Sequence, residues 1–520
     1  MNKIYSSDLD LQQKILNGVN KLTDNVASTL GPKGRNVVLA SKGKRPIITK
    51  DGVTVANFVD LKDPTENAAA QILKQAASET NITAGDGTTT STVLARDIIR
   101  NSQKYLIAGS SPVELKRGMD IALEEVVYML SDMSTPVTTT QDVENVATIS
   151  ANNDTRIGKL IAAAVDKVGH DGSILIEEAK SLETSLDLVE GFRFKSGYFS
   201  QSFVTNERRN SIDYEEALIL ITDYKIDAVS KILPVLELAA REGKPLVIVA
   251  EEVEGQALAA LIMNSVRGSM KVAAVKAPEY GVERTKIMED LCVSTGAFFF
   301  SRLAGRGLED IKLVDFGTCK KVEILKNNTT IMGGSGDHEL MEERISALKS
   351  EIKQTEDMSE CRSLQSRITR LASGVAVIKV GGSTEVEMIE KKHRIEDALE
   401  AVNSAQEEGI VPGGGVSLLR CADFEVATDN EDQRLGAEII RKSLCAPIKQ
   451  MALNCGQSAD LIIDKISNSD NLGWDFKNSC LTAMIESGII DPTKVTRVAL
   501  QNSVSVASTL INTSAAIIEE

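Results

Sequence analysis

The chain has 520 residues and sets 58 Lys+Arg against 74 Asp+Glu for a formal net charge of −16. That is length for about three domains of ~150 residues, with no overall basic footprint for nucleic acid or an anionic membrane. Aromatic residues make up 4% and apolar ones 42%, which suits packed α/β layers rather than a surface on which bases stack. The seven cysteines form no CxxC and accompany three scattered histidines, arguing for a reducing compartment and against zinc. No apolar run reaches the ~18 residues of a membrane span, so a cytoplasmic protein is expected.

Residues from about 8 to 133 read as helices interrupted by short glycine-bearing segments. Ile15, Val19, Leu22 and Val26 share one helix face, which Thr29-Leu30-Gly31-Pro32-Lys33-Gly34-Arg35 breaks. Val37-Val38-Leu39 and Pro46-Ile47-Ile48-Thr49 read as a hairpin that delivers Lys50-Asp51-Gly52 to the next turn. The stretch Ile82-Thr83-Ala84-Gly85-Asp86-Gly87-Thr88-Thr89-Thr90 then places an aspartate between glycines ahead of hydroxyl residues and a helix. Glycines admit close backbone approach, and the helix start offers unpaired N–H groups and a positive dipole end, so the stretch reads as a phosphate cradle. Asp86 beside phosphate implies a hard cation such as Mg2+ between them; the alternative is that Asp86 merely caps the helix. Residues 29–34, 50–52 and 85–90 are three loops expected to converge on one ligand. Helices follow at about 88–108 and 112–133, the second opened by Ser110-Ser111-Pro112.

Pro136 and Thr138-Thr139-Thr140 mark a boundary, after which Ile149-Ser150-Ala151-Asn152-Asn153-Asp154 precedes a helix, Ile174-Leu175-Ile176 reads as a strand, and Glu190-Gly191 ends a short region. Strands at residues 218–221, 246–249 and 272–275 alternate with helices near 233–242 and 255–267, predicting a parallel sheet with helices on its faces. Residues 337–373 read as a helical hairpin, with Met341, Ile345, Leu348 and Ile352 on one stripe and Leu364, Ile368 and Leu371 on the other. Gly374 opens a strand, residues 394–408 return to helix, and the rest reads as largely helical around Pro412-Gly413-Gly414-Gly415 and Gly488-Ile489-Ile490-Asp491-Pro492.

In six stretches, residues 29–37, 48–53, 84–90, 273–278, 374–381 and 491–497, taken in order, the chain resembles the group I chaperonins, the GroEL-like family, over essentially its whole length. The resemblance implies a multidomain α+β and α/β fold. A helical equatorial ATP-binding domain would span 1–134 and 409–520, a small intermediate hinge domain 135–190 and 374–408, and an α/β apical polypeptide-binding domain 191–373. Pro136, Gly191, Gly374 and Gly409 coincide with the family's hinges. It also implies an ATPase coupled to protein folding, with ATP and Mg2+ as cofactors and K+ as a further candidate cation. The partners would be unfolded polypeptides, a GroES-like co-chaperonin lid and further copies in a heptameric ring, single or double.

Carried over residue by residue, Thr29, Leu30, Gly31 and Pro32 would line the nucleotide, with Lys50 near its phosphates and Asp86 on Mg2+. Gly87, Thr88, Thr89 and Thr90 would donate to phosphate oxygens, Gly414 would admit the nucleoside, and Asp491 would accept from the ribose. Asp51 and Asp397 would orient the attacking water, Asp397 arriving with the intermediate domain; without the resemblance it reads as an ordinary helix carboxylate. Tyr198, Ser200, Phe203, Leu233, Leu236, Leu258, Ile262 and Met263 fall on the polypeptide-binding positions, although an apolar stripe of this kind also suits a core.

The chain departs from the family at Gly473-Trp474-Asp475-Phe476, where an amide becomes a carboxylate and a methyl a phenyl ring beside the adenine. Phe476 either stacks on the base or occupies its space. Ser202 replaces an aromatic residue and Ser196 an arginine, while Lys449 and Gln457-Ser458 alter the expected ring contacts. Two readings follow: an ATP-driven folding machine, and a paralogue that binds unfolded protein or another partner with little or no ATPase activity. A small-molecule kinase lacks its GxxxxGK[ST].

Overall fold

Val19, Leu22 and Val26 lie fully buried along helix α1 (Asp8–Ala27), and the stripe they form seeds the core of the first of two compact units. The computed structural model describes residues 3–41, 46–169, 173–179, 181–207, 209–302, 305–355, 357–372, 374–469 and 471–519. Unit one comprises residues 1–163, 178–184 and 380–520; unit two comprises 164–177 and 185–379.

The chain opens with β1 (Lys3–Ser7), α1, the hairpin β2 (Val37–Leu39) and β3 (Ile47–Thr49), α2 (Gly52–Phe58) and α3 (Pro64–Ala84). Four helices follow: α4 (Thr88–Ile107), α5 (Pro112–Met133), α6 (Thr140–Ser150) and α7 (Thr155–Val168). Local chemistry sets their ends. Asp63 accepts from the Thr65 and Glu66 N–H groups ahead of α3, Ser111 with Pro112 opens α5, and Thr139 and Asp142 close a capping box on α6.

Unit two is built on β4 (Ser173–Glu178), β5 (Ser185–Phe194), β6 (Ile212–Ile226), α8 (Val229–Glu242), β7 (Leu246–Val253), α9 (Gly255–Val266) and β8 (Val272–Lys276). It continues through α10 (Gly281–Thr295), β9 (Phe299–Phe300), β10 (Gly317–Ile324), β11 (Thr329–Gly334), α11 (His338–Gln354), α12 (Met358–Ala372) and β12 (Gly374–Val380). The strands form one sheet in the order β4-β12-β5-β11-β10-β6-β7-β8, with β9 beside β6. Pairing is parallel among β6, β7, β8 and β9, as the βαβ spacing predicts, and antiparallel where β10, β11, β5 and β12 extend the sheet. The sheet is therefore mixed rather than wholly parallel. Ile219, Leu220, Ile221, Val247, Ile248 and Val249 are fully buried, as befits strands covered on both faces.

Gly191, expected to end a short region, lies inside β5, where pairing passes from β12 (Gly374↔Glu190) to β11 (Met332↔Gly191). A Cβ there would meet Val375 Cγ2 at 2.3 Å, so close packing, not a chain break, calls for glycine.

The chain then returns to unit one with α13 (Glu385–Glu408), β13 (Ile410–Pro412), α14 (Val416–Arg420), α15 (Glu431–Ser443), α16 (Ala446–Asn454) and α17 (Ala459–Ser467). It ends with β14 (Leu472–Asp475), β15 (Cys480–Ala483), β16 (Ile490–Pro492), α18 (Thr493–Ile511) and β17 (Ala515–Glu519). The tail expected to be largely helical thus also carries short strands: β17 pairs with β1, β14 with β15, and β13 with β16. Leu73, Leu94, Ile98, Leu115, Ile439, Leu500 and Val504 form one core, joining both ends of the chain. That joint core fixes the loops between α1 and α2, between α3 and α4, and before α14 and α18 around a common space.

Candidate functional site

Those loops enclose a cavity of about 270 Å³ within unit one. At one end of it α3 stops at Gly85 (φ 72°) and α4 starts after Gly87 (φ 87°), both in the left-handed region that favours glycine. A Cβ on Gly87 would also lie 2.8 Å from Val495 Cγ1. Gly87, with no side-chain cap, is the N-cap of α4. Asp86 therefore does not cap the helix. Its Oδ1 accepts from the Gly87 N–H at 2.6 Å and its Oδ2 from Ser150 Oγ at 2.8 Å. Thr88, Thr89 and Thr90 form the first turn of α4 on the cavity wall, where helix geometry leaves backbone donors without an intrahelical acceptor.

Thr29, Leu30, Gly31 and Pro32 form a second wall. Thr29 Oγ1 donates to the Val26 carbonyl at 2.8 Å and lies 3.4 Å from Thr89 Oγ1. Lys50 Nζ donates to the Gly31 carbonyl at 3.1 Å and to Asn152 Oδ1 at 2.7 Å. Burial, then the Arg394 guanidinium, pulls the Lys50 ammonium below its usual range. Asp51 is the N-cap of α2, accepting from the Val53 and Thr54 N–H groups at 3.1 Å each and from Thr54 Oγ1 at 2.5 Å.

At the opposite end, pairing of β13 with β16 sets Gly413-Gly414-Gly415 beside Asp491, and a Cβ on Gly414 (φ 67°) would meet Met484 Cε at 3.3 Å. Burial pushes the Asp491 carboxyl up to about 7, the Asp86 charge adds to the rise, and hydrogen bonds from the Gly414 and Gly415 backbone oppose it. Burial likewise raises Asp86, against the Ser150 and Gly87 hydrogen bonds. Met451, Trp474 and Phe476 make an apolar wall. Phe476 is buried within that cluster, and the Asp475 carboxylate accepts from the Lys477 and Asn478 N–H groups and the Asn478 amide in the β14–β15 turn.

Asp397 reaches the same cavity from α13, as do Glu390, His393 and Arg394. Arg394 pairs with Asp154 at 3.4 Å and with Glu390 at 2.8 Å. The predicted nucleotide, metal and hydrolytic residues thus line one cavity. Sequence reasoning missed Ser150, Asn152 and Ser417 there; the polar run around Asn152 was the available signal. Ser417 Oγ is buried without a hydrogen-bond partner among the described residues. Among those residues no group of three His, Cys, Asp or Glu side chains could hold a metal alone. A single buried carboxylate such as Asp86 fits a Mg2+ whose other ligands are phosphate oxygens and water.

In unit two, Leu233 and Met263 are about half exposed, at 48% and 49%, while Leu236, Leu258 and Ile262 are partly buried against the core. Val266, on the same face as Leu258 and Ile262, is 69% exposed and extends the stripe. Tyr198 and Phe203 differ from expectation. Both are buried in the sheet core, Phe203 to 1%, so neither presents an apolar face to a partner. No helix among the described residues is long and apolar enough to cross a membrane.

The fold has a counterpart among solved proteins. The chaperonin gp146 of bacteriophage EL (Pseudomonas aeruginosa), crystallised in the presence of ATP-BeFx, superposes with a TM-score of 0.71 in one crystal form and 0.63 in the other. Identity is 21%, and the match covers 99% of each chain. Residues 22–520 fit the sequence model of the TCP-1/cpn60 chaperonins, and a match of that extent, on a chain whose loops enclose this cavity, makes it a member of the TCP-1/cpn60 chaperonin family.

Proposed function

We propose that this chaperonin is an ATP-dependent folding machine, binding unfolded polypeptides on an apolar face of unit two and driven by Mg-ATP binding and hydrolysis in the unit-one cavity. The observation that carries this reading is the convergence of residues 29–32, 50–51, 86–90, 397, 414 and 491 on one cavity. Bound Mg-ATP supplies the phosphoryl bond to be hydrolysed and the cation that offsets its charge. The first turn of α4 and Lys50 bind the phosphates, Asp86 holds the metal, and Asp491 with Gly414 seats the ribose. Asp51, held by its capping bonds, and Asp397 on α13 orient the attacking water. Leu233, Leu236, Leu258, Ile262 and Met263 form the client-binding stripe, Met supplying an adaptable contact. The reading includes equatorial, intermediate and apical domains divided near residues 134, 190, 373 and 408, a heptameric ring, a co-chaperonin lid and a cytoplasmic location.

The second reading, a binder without a productive ATPase cycle, draws on Asp475 and Phe476, whose side chains are taken up by a turn and a core cluster. Refolding of an aggregation-prone client with a co-chaperonin separates the two. A gain that requires ATP supports the machine; equal suppression of aggregation with and without ATP supports the binder.

A further inference from the structure

The turn that ends α6 reaches into the phosphate end of the cavity and engages two groups that a magnesium nucleotide would use. Ser150 Oγ donates to Asp86 Oδ2 at 2.8 Å, and Asn152 Oδ1 accepts from Lys50 Nζ at 2.7 Å. Asn152 and Asn153 follow one another in the left-handed region, at φ 59° and 64°. Residues other than glycine rarely adopt it, asparagine being among the more tolerant. Two such residues in succession hold the turn in an uncommon backbone at the point where its amide meets the lysine, the kind of local strain that surrounding contacts must maintain.

The chemistry of the two contacts is that of a magnesium nucleotide. A hydroxyl donor on Asp86 stands where a cation would offset the carboxylate. An amide oxygen on Lys50 stands where a phosphate oxygen would accept from the ammonium. We propose that residues 150–153 are a built-in stand-in for the metal and phosphate, holding Asp86 and Lys50 in the nucleotide-free chain and yielding them on binding, with Asn152 as the residue that sets nucleotide affinity. This rests on the nucleotide reading of the cavity. A ligand that must displace a resident group binds more weakly by the fraction of molecules in which that group has let go. Asn152 is thus a positioning residue, acting through Lys50.

The test is titration calorimetry of the full chain with Mg-AMP-PNP. Asn152→Gly keeps the left-handed backbone and removes the acceptor, so it binds about five- to tenfold more tightly than the parent. Asn152→Asp tolerates the same backbone and sets a carboxylate against Lys50, so it binds about tenfold more weakly. The glycine variant decides, because a merely structural asparagine would lose affinity when truncated. Unchanged or weaker binding by Asn152→Gly overturns the proposal, the circular dichroism of both variants matching the parent. Should the glycine variant not fold, affinity of Asn152→Asp equal to or tighter than the parent overturns it instead. No binding by the folded parent overturns the nucleotide reading itself.

Discussion

Gly85 and Glu400 meet so closely that a Cβ on the glycine would lie 2.1 Å from the Glu400 Cβ. Helix α13 is therefore seated directly on the loop between α3 and α4, and Asp397, three residues before Glu400 and so on the same face, is brought to the cavity by that seat. Gly85→Ala adds a clash to a backbone at φ 72° and lifts α13 away. Phosphate release should fall about a hundredfold, as for other small misplacements of a reacting group, with the far-UV circular dichroism of the parent retained. Parental turnover in this variant would separate Asp397 from catalysis.

The Asp491 carboxyl accepts from the Gly414 and Gly415 backbone and feels the Asp86 charge, and burial raises it from 3.8 to about 7. Between those values the folded chain holds a proton that the unfolded chain has released, so folding stability falls as pH rises from about 4 to 7 and stays lowered above. The penalty is on the order of 4 kcal/mol. Asp491→Asn removes the charge, so the nucleotide-free variant should unfold at higher denaturant than the parent at pH 8, with the gap shrinking toward pH 4. A gap independent of pH would contradict the account.

Arg367 and Asp290 form a bidentate pair at 2.7 and 2.8 Å, at 2% and 1% side-chain exposure, and Arg344 adds a contact to Asp290 at 2.9 Å. The pair fastens the α11–α12 hairpin to α10. Arg367→Ala leaves a buried carboxylate with one partner fewer, a change that costs about 3–5 kcal/mol. Amide exchange in α11 and α12 should accelerate while that of β6 and β7 is unchanged; unaltered exchange in the hairpin would show the pair to be dispensable.

Phe203 and Met263 separate core from surface in unit two. Phe203→Ala should destabilise the unit by about 3–5 kcal/mol. Met263→Ser should leave stability within about 0.5 kcal/mol and weaken capture of a denatured client, read by light scattering. Equal loss of stability in both would place Met263 in the core.

The loops that line the cavity were legible in the sequence because they obey local rules. Gly85 and Gly87 are needed at positive φ, Ser111 and Pro112 open a helix, and Asp86 sits between close-packed glycines. Strands such as β13 and β16 were not, since three residues carry no alternation and their partner lies about eighty residues away, Val411 against Asp491. The resemblance assigned Phe203 and Met263 alike to the polypeptide-binding positions, and residue type alone does not say which of them faces solvent. The contacts of Ser150 and Asn152 arise only when the end of α6 packs beside Asp86 and Lys50, so no pattern near them reveals their partners.

Hydrolysis in the proposed cycle depends on Asp397. Phosphate release from Mg-ATP by the parent and by Asp397→Ala, with nucleotide binding measured alongside, tests it most directly. The parent should turn over, and the variant should bind nucleotide yet release phosphate about a hundredfold more slowly or less. A folded, nucleotide-bound parent without turnover, or an Asp397→Ala variant as fast as the parent, would contradict the ATP-driven reading.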